Sequence, residues 1–140
     1  MDELSKSPKT FTLSEAQAAL PEVRSLVEQM QGIQRSIATT NAELEDKQAK
    51  AAAGNGYPVQ SLKQQIRELG KHQLKRVEAF QSALSRLEEL GCVLKDVNTG
   101  LVDFYSMREG ELVFLCWKPG EERIRFWHTL EDGYPGRKPL

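Results

Sequence analysis

Two apolar stripes that mirror each other about a single break constrain the fold of this chain more than any other feature. The first runs through Leu13, Ala16, Leu20, Val23, Leu26 or Val27, Met30, Ile33, Ile37 and Leu44, at the three-and-four spacing of one helix face. The second runs through Leu62, Ile66, Leu69, Val77, Phe80, Leu84, Leu87 and Leu90. Between them lies Ala51-Ala52-Ala53-Gly54-Asn55-Gly56-Tyr57-Pro58, which a helix does not cross. If the chain folds back about Asn55, antiparallel neighbours have residue numbers that sum to about 110. Leu20/Leu90, Val23/Leu87, Leu26/Leu84, Met30/Phe80, Ile33/Val77 and Leu44/Ile66 all satisfy that rule, whereas Ile37 meets Gln73 and Asn41 meets Leu69. The spacing therefore predicts a long helical hairpin, coiled-coil-like, over 12–91, apolar at its base and thinner towards its turn. Across that thinner half, Arg67 is expected to pair with Glu43 and Lys63 to reach Asp46.

The start of the hairpin is marked by Phe11-Thr12-Leu13-Ser14-Glu15-Ala16, where Thr12 can cap the helix, Glu15 can reach back and Phe11 can staple onto Ala16. Pro21 lies beyond the first turn and is expected to kink the helix or divide it. Gly91 is the expected stop. Each helix covers only one side of the other, so a further surface is needed: the C-terminal third or a second copy of the chain.

Composition separates the two parts. Charge is spread evenly, with 12 basic and 12 acidic residues up to Gly91 and 7 and 8 beyond it, which argues against a nucleic-acid-binding half. Aromatics are not spread evenly: Phe104, Tyr105, Phe114, Trp117, Phe126, Trp127 and Tyr134 crowd the last 49 residues. Residues 92–140 read as an antiparallel meander with strands at Cys92–Lys95, Leu101–Ser106, Leu112–Trp117 and Glu122–Leu130, followed by a tail. The expected fold is α+β, a helical hairpin on a small antiparallel sheet, with 1–140 as one domain. No apolar run approaches the roughly 20 residues of a membrane span. Met1-Asp2-Glu3-Leu4-Ser5-Lys6 lacks the basic start and apolar centre of a secretory signal, and Cys92 and Cys116 are too few for a disulfide framework. A cytoplasmic location is expected.

In the last hairpin, the preferred register sets Cys116, Phe114 and Leu112 against Ile124, Phe126 and His128, and Trp117, Leu115 and Val113 against Arg123, Arg125 and Trp127. His128 then lies four or five residues along the neighbouring strand from Cys116, at roughly 14 Å, too far for a thiol and its base. Asp103 interrupts the apolar run Leu101–Tyr105 and, if buried, needs a partner; Arg123, Arg125 and Arg137 are the candidates. Trp117 and Trp127 with Arg123 and Arg125 form a possible anion or base-stacking face.

Gly100-Leu101-Val102-Asp103-Phe104, Leu115-Cys116-Trp117, Gly120-Glu121, Trp127-His128 and the ending Gly133–Leu140 resemble the bacterial and archaeal family known as domain of unknown function 2203. The opening Phe11–Ala16, Leu20-Pro21 and Leu87–Gly91 are similar to it as well. Asp103, Cys116, Trp117, Glu121, His128 and Arg137 fall on the family's motif positions, which makes them the candidate functional cluster. The resemblance implies no activity, cofactor or metal.

The resulting expectation is a module without a complete catalytic set or cofactor, binding a protein or ligand and forming a homodimer through its hairpin. The alternative is a small enzyme or anion-binding domain with a polar cleft at Asp103, Glu121, His128 and Arg137. No metal site is expected from one histidine among scattered carboxylates.

Overall fold

The computed structural model describes residues 7–140; the stretch Met1–Lys6, on which the signal-peptide reading rests, lies outside the described residues. Helix α1 (Leu13–Ala53) and helix α2 (Val59–Glu89) form the hairpin. Thr12 and Glu15 make the reciprocal capping box: the Thr12 hydroxyl accepts from the Glu15 N–H at 3.0 Å, and the Glu15 carboxylate accepts from the Thr12 N–H at 2.8 Å. Phe11 packs edge-on against Phe104, with ring centres 5.3 Å apart, and so fastens the helix start to the sheet. Pro21 does not divide the helix: α1 continues through it. Gly54, at φ 66°, closes α1 with its N–H on the Lys50 carbonyl.

The fold-back about residue 55 is seen in hydrogen bonds between the helices: the Gln73 amide donates to the Ile37 carbonyl at 3.0 Å, and Arg86 grips Glu22 through two bonds of 2.7 and 3.0 Å. The expected Arg67–Glu43 and Lys63–Asp46 pairs are replaced by pairs along α1, Lys47 with Glu43 and Lys50 with Asp46. An exposed lysine one turn away on its own helix satisfies a carboxylate with less ordering than a side chain reaching across.

The C-terminal third is a five-stranded antiparallel sheet in sequential order: β1 (Cys92–Asp96), β2 (Leu101–Arg108), β3 (Glu111–Trp117), β4 (Phe126–Thr129) and β5 (Lys138–Pro139). The base of the hairpin lies on one face. There Leu20, Val23, Val27 and Leu87 bury themselves with Val102, Phe104, Leu115, Trp117 and Ile124. Gly100, in the turn before β2, has φ 75°, and a Cβ there would lie 2.7 Å from the Pro119 ring and 2.9 Å from Val27. The close approach of turn, helix and neighbouring loop thus requires glycine.

Two expectations for the sheet are corrected. The fourth strand spans only Phe126–Thr129, not Glu122–Leu130, because α1 draws the preceding residues away. The Gln17 amide donates to the Ile124 carbonyl at 3.1 Å and accepts from its N–H at 3.0 Å, while Arg24 donates to the Glu122 carbonyl. The C-terminal tail is also a strand: β5 pairs with β4, and the Leu140 N–H reaches the Arg125 carbonyl at 2.8 Å. Among the described residues, no helix is long and apolar enough to cross a membrane.

Candidate functional site

Alternation along the strands places Asp103, Cys116 and His128 together on the sheet face turned away from the helices. Val102, Phe104, Leu115 and Trp117 point to the helical core, so their neighbours Asp103 and Cys116 point outward. Asp103 and Cys116 are directly opposed across β2 and β3. On the other side of β3, Cys116 opposes Phe126 and Phe114 opposes His128. This register is two residues away from the expected one. A two-residue slip leaves side chains on their original faces but moves them along the strand. His128 therefore becomes a diagonal neighbour of Cys116, and the expected separation of roughly 14 Å does not hold: metal-ligating atoms of Asp103, Cys116 and His128 all lie within 4.8 Å of one another. The slip follows from the peeling away of residues 121–125, which lengthens the connection from β3 to β4. Ile124, expected beside Cys116, instead enters the helical core.

All three side chains are buried, at 0%, 0% and 1% exposure for Asp103, Cys116 and His128. The buried partner of Asp103 is His128, not an arginine: His128 Nε2 lies 3.0 Å from Asp103 Oδ2. His128 Nδ1 lies 2.7 Å from the Thr129 carbonyl oxygen, which can only accept. Nδ1 must therefore carry a proton, and a second proton is shared between Nε2 and the Asp103 carboxyl. Burial pushes the Asp103 carboxyl above the ordinary carboxylate range, with His128 opposing. Asp103 Oδ1 has no hydrogen-bond partner. Burial, aided by the nearby Asp103, also pushes the Cys116 thiol up to about 11. Because one nitrogen of His128 is held by a backbone carbonyl and the other by Asp103, the ring has none left to serve as base for Cys116. A nucleophilic dyad is not assembled.

Arg137 and Glu121 complete the cluster at its edge. Arg137 lies 3.7 Å from Cys116 Sγ and 2.5 Å from a Glu121 carboxylate oxygen, and its guanidinium rests 4.0 Å above the Phe126 ring. Glu121 also accepts from the Lys118 N–H, which ties the β3–β4 connection to the C-terminal segment. Of the residues taken from the motifs, Asp103, Cys116, His128, Arg137 and Glu121 thus form one continuous chain of contacts.

A scan against protein-family models matches residues 9–140 to a family described as an uncharacterized conserved protein (DUF2203). The chain belongs to that family. Neither the curated proteins nor the solved structures give a match. The DUF2203 match covers both the hairpin and the sheet, so hairpin base, sheet and outer-face cluster all lie within the matched stretch.

Trp117 stands apart from the cluster. It is buried on the helical face, with its indole N–H on the Glu121 carbonyl at 2.8 Å. Trp127 lies under Arg108 and Lys138, at 4.5 and 5.1 Å from the ring centre. Arg123 and Arg125 are exposed elsewhere, along a groove shared with Leu13, Gln17, Phe126 and Leu140. The four residues proposed as a stacking face are therefore divided between separate environments.

The hairpin also leaves part of its apolar surface uncovered. Midway along the hairpin, Ile37, Val77, Phe80 and Leu84 line a groove of about 390 Å³ together with Gln34 and Gln81. Val77 is 42% exposed and Leu74, one turn towards the tip, 62%. The signal was available: Val77 belongs to the second stripe, but the pairing rule assigned it wholly to Ile33.

Proposed function

We propose that this protein is a cytoplasmic, non-enzymatic interaction module that forms a homodimer through the middle of its helical hairpin. The observation that carries this reading is the exposed apolar row Leu74 and Val77 beside the Ile37–Phe80–Leu84 groove, where Phe80 and Leu84 border the core and Val77 and Leu74 run on from it towards the tip. Large aliphatic side chains left in water on a helix favour burial against another apolar surface, at about 25 cal/mol per Å² removed from water. A second copy supplies a matching row by two-fold symmetry, giving a four-helix, coiled-coil-like arrangement. The cytoplasmic placement is supported by the small number of cysteines, two in the chain, which leaves no disulfide framework.

Sedimentation equilibrium of the full chain tests the reading. The expected mass at tens of micromolar is twice 15.8 kDa, and Val77→Glu should return it to the monomer value with an unchanged far-ultraviolet circular dichroism spectrum. A wild-type monomer at high micromolar concentration overturns it.

A further inference from the structure

We infer that Asp103, Cys116 and His128 form a binding site for one borderline divalent transition-metal ion of the zinc or cobalt class, joining β2, β3 and β4 on the outer face of the sheet. This site does not depend on the dimer reading, which concerns the middle of the helical hairpin.

Four features of the cluster point to an ion. First, the donor set is one imidazole nitrogen, one sulfur and one carboxylate oxygen, a combination suited to zinc and cobalt and poorly suited to calcium or magnesium, which prefer oxygen alone. Second, the spacing is close to what is needed. Ligand bonds of about 2.0–2.3 Å in a tetrahedron put donor atoms about 3.3–3.7 Å apart, and the three donors here lie within 4.8 Å of one another, with the His128–Asp103 contact at 3.0 Å. Third, the Thr129 carbonyl holds Nδ1 as a donor, which aims the Nε2 lone pair into the cluster; a carbonyl in this place is the usual orienting partner of a metal-bound histidine. Fourth, Asp103 is fully buried and its Oδ1 has no nitrogen or oxygen donor; the Cys116 thiol beside the carboxyl is itself a ligand of the set, so one carboxylate oxygen remains available to an ion.

Charge balance completes the argument. A buried dication is costly unless its ligands neutralise it. A Cys116 thiolate, an Asp103 carboxylate and a neutral His128 carry two negative charges between them, matching the ion. Binding releases to solvent the protons that the ligand atoms carry, with no oxidation or reduction. Arg137, 3.7 Å from Sγ, is placed to donate a hydrogen bond to the thiolate. Three protein ligands leave a tetrahedral ion one position for water or another small ligand.

The test uses the full chain, stripped with a chelator and titrated with cobalt(II) or zinc(II) alone. The expected result is one ion per chain, a visible spectrum of tetrahedral cobalt with a thiolate charge-transfer band, displacement by zinc, and proton release on binding as measured calorimetrically in buffers of different ionisation enthalpy. Cys116→Ser should remove the charge-transfer band and weaken binding at least about 100-fold, given that outer-shell partners alone are worth 10–100-fold. Cys92→Ser and His72→Gln, which alter the other cysteine and the other histidine, should change neither. The inference is overturned by an absence of cobalt colour and proton release, by a thiolate band that survives Cys116→Ser, or by binding that depends on His72. Should Cys116→Ser fail to fold, X-ray absorption of zinc-loaded wild-type protein decides. One sulfur neighbour at about 2.3 Å supports the site, and a shell of nitrogen and oxygen alone overturns it.

Discussion

Asp103 and His128 meet through one hydrogen bond in a fully buried place, and the way that bond is made sets what each substitution costs. With Nδ1–H committed to the Thr129 carbonyl, Nε2 is free to accept, and a protonated Asp103 can donate to it. Asparagine has the same shape and can donate from its amide. Asp103→Asn is therefore expected to cost within about 1 kcal/mol of stability, whereas Asp103→Ala, which leaves Nε2 buried without a partner beside a small void, should cost about 3 kcal/mol. Urea unfolding at neutral pH measures both. If the asparagine variant is as damaged as the alanine one, the pair is an imidazolium facing a carboxylate and the neutral description fails. At this scale the sequence announced the anomaly but not its resolution. Asp103 stands out in Leu101–Tyr105 as a charge amid apolar residues, and chemistry requires that it be paired. Which residue pairs with it depends on a strand register, and a two-residue difference carries His128 along its strand to within reach of Asp103. The family motif groups Asp103, Cys116, Trp117, Glu121, His128 and Arg137; the register shows why the side chains of five of them meet and why Trp117 turns to the other face.

That register is decided by an element that sequence periodicity does not reach, the connection between β3 and β4. Residues 122–125 alternate well enough to be read as strand, yet Gln17 of α1 takes both backbone groups of Ile124 and draws Ile124 under the helix. A glutamine on the margin of an apolar stripe gives no sign that it will compete with a strand for hydrogen bonds. Helices were legible for the opposite reason: their pattern is local, and the fold-back rule needs only one turn to be placed. Gln17→Ala should leave the Ile124 N–H and carbonyl without those partners and lower stability by about 2 kcal/mol. Gln17→Glu keeps the acceptor for the N–H but loses the donor for the carbonyl, so an intermediate loss is expected in the same denaturation experiment. An alanine variant as stable as wild type would mean that packing of Ile124, rather than Gln17, holds the connection in place. A change of outer-face geometry should accompany the loss, because the same connection carries Glu121 to Arg137.

Across the whole molecule, stability falls along the hairpin from base to tip. At the base, α1 buries Ala16, Leu20, Val23, Leu26, Val27 and Met30, with Ala83 and Leu87 of α2, against the sheet. Beyond Met30, the buried residues of the described hairpin reduce to Thr40 and Leu62, with Ala83 and Leu87 lying back towards the base. Around Thr40 the seam is polar: Arg76 donates to its hydroxyl at 2.7 Å, and Gln73 bridges Ile37 and Asn41. Such a layer fixes the alignment of the two helices while contributing less hydrophobic stabilisation than the apolar layers around Val23 and Leu87. With 41 and 31 residues, the helices extend roughly 60 and 45 Å, so the tip lies far from the core. Native-state hydrogen exchange should therefore show amides 45–65 opening at least about 100-fold more readily than amides 20–30, with β2 and β3 among the slowest. Raising the protein concentration should slow exchange around 74–84 if the hairpin groove is the dimer contact, and leave the tip unchanged. Equal protection along both helices at low concentration would show that the tip is held by something other than the local contacts, and that the polar layer at Thr40 does not divide the hairpin into a firm base and a looser end.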